Sequence, residues 1–252
     1  MPAWSLPFDP AAIAAAGAIV LVAYVVFGMT GFGSSIAAAP FLVLLFPLTF
    51  AVPMMVILDL CCGSLLALRT RREAAWRELA RLAPWIALGM LLGVTLLVNA
   101  PERVLLTLLA LFVLGYLARS HLAAPTRTPL STRWASTFGM FGGVFTALYG
   151  TGGPILLVYL ARRLADARAL RATMGMLILL TAVARVPLFA GADLFAQPGL
   201  VALCAALIPV GLLGLWIGSR LHHRLPPRQV MLTIHAVLLA GAINLLYRVL
   251  VA

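Results

Sequence analysis

GFGSSIAAAP, from Gly31 to Pro40, and GTGGPILLVY, from Gly150 to Tyr159, are the stretches whose reading decides the fold of this chain. Each places clustered residues that break a helix inside an otherwise apolar sequence. They are Gly31, Phe32, Gly33, Ser34 and Ser35 in the first, and Gly150, Thr151, Gly152, Gly153 and Pro154 in the second. In lipid an interrupted helix must turn its freed amides toward protein or a water-filled cavity. Each break therefore marks a place to look for a ligand.

That the surroundings are lipid follows from composition. The 252 residues are 63% hydrophobic and 10% charged, with a mean hydropathy of +1.09, which leaves too little polar surface for a soluble domain. A spanning helix needs roughly 20 apolar residues, so the length accommodates about eight spans with short loops. The net charge of +11 comes entirely from arginine on the basic side, mostly in short loops. That pattern reports topology and argues against nucleic acid as a partner. Met1 to Pro10 carries Asp9 and no Arg, which reads against a cleaved signal peptide. Cys61, Cys62 and Cys204 fall in apolar runs and read as packing residues, with no disulfide framework or metal site expected.

Apolar runs fall at about 11–27, 34–46, 50–68, 82–98 and 103–119, then at about 134–149, 153–162, 170–190, 199–219 and 229–250. In each set of five the second run is too short to span and reads as a half helix. Arginine clusters at Arg69 to Arg81, Arg119 to Arg133, Arg162 to Arg171 and Arg220 to Arg228 are expected in the cytoplasm. The Arg-free connections Phe46 to Thr49, Asn99 to Glu102 and Gly191 to Pro198 are expected outside. Every loop obeys this rule if both termini are external and each half helix returns its chain to the side it came from. The two sets then run in opposite orientation, an inverted repeat of a kind recurrent in transporters. The expected fold is an all-α integral membrane protein of two inverted repeats, 1–123 and 124–252. Each has a broken helical hairpin, at 28–35 and 150–154, plus three spanning helices.

Residue matches support the duplication independently. Pro84, Leu88, Gly89 and Gly93 recur at a constant offset as Pro209, Leu213, Gly214 and Gly218. Pro101, Thr107 and Gly115 recur as Pro227, Thr233 and Gly241, and Gly31, Gly33 and Ile36 as Gly150, Gly152 and Ile155. Gly89 with Gly93 and Gly214 with Gly218, four apart on uninterrupted spans, read as packing surfaces.

The candidate binding residues are Gly31, Phe32, Gly33, Ser34, Ser35, Tyr149, Gly150, Thr151, Gly152 and Gly153, with Thr30 beside them. Ser34 or Ser35 is placed to cap one half helix, and Pro154 suits the first turn of the other. Helix starts present free amides and the positive end of the dipole, so two starts arriving from opposite faces would frame one buried anion. Asp59 sits near the middle of its run, where a charge must be hydrated, paired or protonated, and is the candidate for proton coupling. Arg185 is a candidate for attracting the anion, with snorkelling to the outer face as the alternative. His235 reads as a packing histidine, and Asn244 and Thr181 as interhelical hydrogen-bonding residues.

On these glycine-rich breaks, the Pro and Gly spans that follow them and the basic loop from Arg69 to Arg81, the chain resembles the TauE/SafE family of sulfite and organosulfonate exporters. The resemblance covers nearly the whole length. It departs from the family pattern at Ser34 and Ser35, which stand where a third glycine is usual, and at Tyr159, which replaces a proline that Pro40 keeps. It implies a secondary transporter of small sulfur-containing or organic anions in a bacterial cytoplasmic (inner) membrane. The partners expected are that anion and the bilayer, with a homodimer left open and no cofactor. An intramembrane enzyme would need a nucleophile and base on facing helices, and Ser35, Cys61 and His235 show no such spacing. An anion channel or a membrane partner subunit stays open as the alternative to coupled transport.

Overall fold

The computed structural model describes residues 8–122, 130–221 and 239–241. Among the described residues it is all helical, in the order α1 Pro10–Thr30, α2 Ser34–Leu45, α3 Leu48–Leu58, a π-helical turn Asp59–Gly63, and α4 Ser64–Thr70. After a short 3₁₀ turn come α5 Trp76–Asn99, α6 Glu102–Leu122, α7 Trp134–Tyr149, α8 Gly153–Ala161, α9 Ala167–Ala190 and α10 Leu200–Leu221. The expected run over 229–250, with His235, Asn244 and the repeat matches Pro227 and Thr233, lies outside the described residues, apart from 239–241.

Among the described residues four helices, α1, α5, α9 and α10, are long and apolar enough to cross a membrane, and a fifth span arises if Leu48–Gly63 and Ala67–Glu73, bent by 48°, count as one. Large apolar side chains such as Leu91, Leu92, Val183, Val201 and Trp216 are exposed on these helices. An all-helical chain with its apolar side chains turned outward is a multi-pass membrane protein. Several helices extend past the apolar runs that mark them. α5 begins at Trp76 rather than near residue 82, and α9 at Ala167 rather than near 170. Hydropathy marks the lipid-buried length, whereas the backbone ladder continues through a polar turn. Where α10 ends, Arg220 lies over the Trp216 ring at 4.1 Å, a pairing suited to the membrane–water boundary.

Glycine contacts hold the helices together in two matching pairs. α1 packs on α10: a Cβ on Gly28 would lie 2.6 Å from Leu215 O, one on Gly214 would lie 2.6 Å from Leu21 O, and one on Gly218 would overlap Val25 O. α5 packs on α7: a Cβ on Gly93 would lie 2.7 Å from both Val144 O and Ala147 Cβ, and those on Gly89 and Gly143 would overlap Met140 O and Ile86 O. The backbones themselves touch, as expected where water supplies no drive for helices to associate and close van der Waals contact must do so. The packing role read for Gly89, Gly93, Gly214 and Gly218 is the one observed. Cys62 and Cys204 are buried packing residues whose sulfurs meet Ile208 O and Met54 O; Cys61 is exposed.

Polar contacts pin the far ends of the two half-helix hairpins. At the α2–α3 turn, Leu48 N donates to Glu102 Oε1 (3.2 Å) and Gln197 Nε2 donates to Thr49 O (3.1 Å). Beyond α8, buried Glu78 accepts from Arg81 (2.6 Å), Arg163 (2.9 Å) and the Tyr159 hydroxyl (2.9 Å), tying α8 to the start of α5. Arg81 and Arg163, read above only as topology signals, are thus also structural. So is Arg171, which lies in α9 rather than in a loop and donates to Gly28 O at 2.6 Å.

Gly218→Val should be severe, because backbone stands where the new side chain must go; a loss of at least about 1–3 kcal/mol is expected. Gly115→Ala, inside α6 with nothing within 4 Å of the added carbon, should cost nothing and raise stability by up to about 1 kcal/mol. Thermal unfolding of the detergent-purified variants, followed by monodispersity on gel filtration, checks both.

Candidate functional site

The two breaks are built differently. α1 ends at Gly31 (φ 80°), whose amide donates to Phe27 O, and the chain re-enters at Gly33 (φ 98°). Both lie in the left-handed region that disfavours any residue with a Cβ. Thr30 closes this turn, its hydroxyl donating to Val26 O (2.8 Å) and meeting Phe32 O. In the second break Gly150 is left-handed (φ 71°), but Gly152 is right-handed helical (φ −64°). Gly152 is required for room instead: a Cβ there would overlap Thr146 Oγ1 and Gly142 O.

Past each break a half helix begins with free amides. The first intrahelical bonds are Ala37 N to Gly33 O and Leu156 N to Gly152 O. The amides of Ser34, Ser35 and Ile36, and of Gly153 and Ile155, therefore have no partner within their helices. Pro154 occupies the first turn of α8, as its fixed φ suits. The capping expected of Ser34 or Ser35 does not occur. The cap position of α2 is Gly33, and both serine hydroxyls turn to Asp59 instead. A cap would have the serine oxygen accept from a helix amide; donating the hydroxyl proton to the charged carboxylate gives the stronger bond and sets the side-chain direction instead.

Asp59 is 1% exposed. Its Oδ1 accepts from the Tyr24 hydroxyl and from Ser34 Oγ, both at 2.9 Å, while Oδ2 accepts from Ser35 Oγ at 3.4 Å and lies 3.5 Å from Arg185 Nη2. Arg185, also 1% exposed, does not snorkel. It turns inward, Nη1 donating to Thr146 O at 3.3 Å and Nε to Thr181 O at 3.4 Å. All of these contacts are long for a guanidinium, whose charge-assisted bonds run about 2.7–2.9 Å. Arg185 is thus charged, buried and loosely held. Asp59 opens the π-helical turn, a local widening of the helix that often marks functional positions.

Gly33, Ser34, Ser35, Asp59, Thr146, Gly150, Thr151, Gly153, Pro154, Thr181 and Arg185 line one cavity of ≈ 20 Å³, about enough to admit a water molecule. The Thr151 hydroxyl, on a residue 1% exposed, has no hydrogen-bond partner there. The arrangement presents hydroxyl, amide and guanidinium donors to one point and a single carboxylate.

Of the residues read from sequence, Gly33, Ser34, Ser35, Gly150, Thr151, Gly153, Asp59 and Arg185 meet at this cavity. Gly31, Phe32, Tyr149 and Gly152 stand beside it: Gly31 faces Arg171, half-buried Phe32 lies near Gly153, and the Tyr149 hydroxyl donates to Leu105 O on α6 at 2.7 Å. Thr181 is not interhelical; its hydroxyl bonds Ile178 O of its own helix. Sequence reasoning missed Tyr24 and Thr146. Tyr24 was findable as the one hydroxyl-bearing residue in α1 before its terminal threonine, seven positions ahead of Gly31 and so on the same face.

Removing one member of the buried pair, by Asp59→Leu or Arg185→Leu, should cost about 3–5 kcal/mol because the other charge is left uncompensated. The double variant should cost less than the sum of the two singles. A double-mutant cycle in thermal stability checks this.

Comparison with known proteins identifies a family. The family model described as sulfite exporter TauE/SafE matches residues 16–245. A curated relative, the "Probable inner membrane transporter protein TsaS" of Comamonas testosteroni, is 26% identical over 177 residues, covering 69% of this chain and 73% of that one. No solved structure matches significantly. With the match running over both breaks and nearly every described helix, the chain belongs to the sulfite exporter TauE/SafE family of membrane transporters.

Proposed function

We propose that this protein is a secondary transporter of small organic or sulfur-containing oxyanions, of the sulfite and organosulfonate class, working by alternating access with proton coupling. The observation that carries the reading is Arg185. It is a buried guanidinium whose contacts are all 3.3 Å or longer, beside an unpartnered Thr151 hydroxyl and two sets of helix-start amides. An oxyanion with several acceptor oxygens satisfies such a donor set, and charge, dipole and amides all favour it. The family name points to sulfite, and the relative's name to transport across an inner membrane.

The cavity supports alternating access through its size. A sulfonate headgroup does not fit in ≈ 20 Å³, so admitting one requires the starts of α2 and α8 to move apart. The architecture we propose for that movement is two inverted repeats with about eight spans. Both termini would lie on the periplasmic face of the inner membrane and the arginine-rich loops in the cytoplasm. The reciprocal packing of α1 on α10 and of α5 on α7 supports this, since α1 and α7 carry the matching breaks and α5 and α10 the matching Pro and Gly motifs.

Proteoliposomes tested with sulfite, sulfoacetate, taurine and simple carboxylates, with and without a pH gradient, should show gradient-driven accumulation of at least one oxyanion. Equilibration without accumulation would favour a channel. Thr151→Val keeps the shape and removes one donor, so apparent affinity should fall by about 2–13-fold, the worth of one ordinary hydrogen bond. Gly33→Leu, where an added carbon meets nothing closer than 3.5 Å, should abolish flux in protein that still reaches the membrane; normal flux would sink the site assignment.

A further inference from the structure

We propose that Asp59 is a built-in stand-in for the substrate anion. Its carboxylate neutralises Arg185 when the site is empty, and a proton on Oδ2 releases the guanidinium, so each anion enters together with one proton. This rests on the transport reading above and specifies how its coupling works.

The argument is charge balance in a place where imbalance is costly. Asp59 and Arg185 are buried together within the helices, and a net charge in such surroundings is strongly unfavourable. The empty site is neutral, one carboxylate against one guanidinium. An incoming monoanion would leave it at −1; one proton taken from water restores neutrality. The step is a simple protonation: an aqueous proton bonds a lone pair of Oδ2, Asp59 becomes a neutral acid, and Arg185 exchanges the carboxylate for the anion. Without Asp59 the empty site would carry an uncompensated +1, which is the reason to keep a carboxylate in an anion site at all.

Geometry selects the oxygen. Oδ1 is held by Tyr24 and Ser34 at 2.9 Å each, whereas Oδ2 has only Ser35 at 3.4 Å and Arg185 at 3.5 Å. The groups facing Asp59 are Tyr24 from α1, Ser34 and Ser35 from α2 and Arg185 from α9, with Cys62 of its own turn nearby. Of the seven acids in the chain, Asp59 alone lines the cavity. Buried Glu78 is taken by Arg81, Arg163 and Tyr159 elsewhere.

The test uses methanesulfonate, which stays a monoanion at every working pH, on the full-length protein. Wild-type affinity should fall about tenfold per pH unit once Asp59 is ionised, the slope of one linked proton. Transport in proteoliposomes held at a set potential should move no net charge. Asp59→Asn, fixed in the neutral form, should bind with no pH slope and carry current. A measurement that needs no variant is infrared difference spectroscopy of the wild type, where binding at alkaline pH should create a carboxylic-acid band. Methanesulfonate that binds with a flat pH profile, moves charge in the wild type, or creates no acid band overturns this proposal and leaves transport standing. Failure of both methanesulfonate and sulfite to bind or move overturns it together with the transport reading.

Discussion

The structure turns on one buried contact, the 3.5 Å approach of Arg185 to Asp59. Neither charge is tolerable alone among these helices, so the elements that carry them must be held in register. Asp59 belongs to the π-helical turn between α3 and α4, Arg185 to α9, and the hydroxyls that complete the carboxylate come from α1 and α2. Four separate stretches of chain thus converge on one carboxyl group. A buried ion pair adds little net stability over an apolar core, and the anion site proposed above gives its presence here a reason.

Glycine makes that convergence possible in two ways. At Gly31, Gly33 and Gly150 it supplies left-handed backbone that turns a helix end into a half-helix start. At Gly28, Gly89, Gly93, Gly152 and Gly218 it removes side chains so that backbone meets backbone. The first use brings free amides to the cavity; the second keeps the scaffold around it tight. The hairpins are pinned at their far ends as well, through Glu102 and Gln197 on one and Glu78, Arg163 and Tyr159 on the other.

Much of this was legible in the residues. Apolar runs located nearly every helix, because lipid demands long unbroken hydrophobic stretches and allows few alternatives. The short runs after each break are short helices of 12 and 9 residues. The cavity residues on the breaks themselves, Gly33, Ser34, Ser35, Gly150, Thr151 and Gly153, were also readable, since a glycine cluster in an apolar segment has few other uses. Ser34 and Ser35 were misread as caps, because helix capping is a local rule and the carboxylate that overrides it lies 25 and 24 positions away.

By itself, then, the sequence determined the solvent, the helices, the two breaks and the two isolated charges inside spans, for these follow from composition and local pattern. Only the tertiary structure decided that Asp59 and Arg185 face each other, that Tyr24 and Thr146 join them, and that Tyr149 turns away to α6. Helix rotation and register decide such pairings. In an almost uniformly apolar chain no polar face announces which side of each helix looks inward, so the rotation emerges only when glycine contacts lock the helices together.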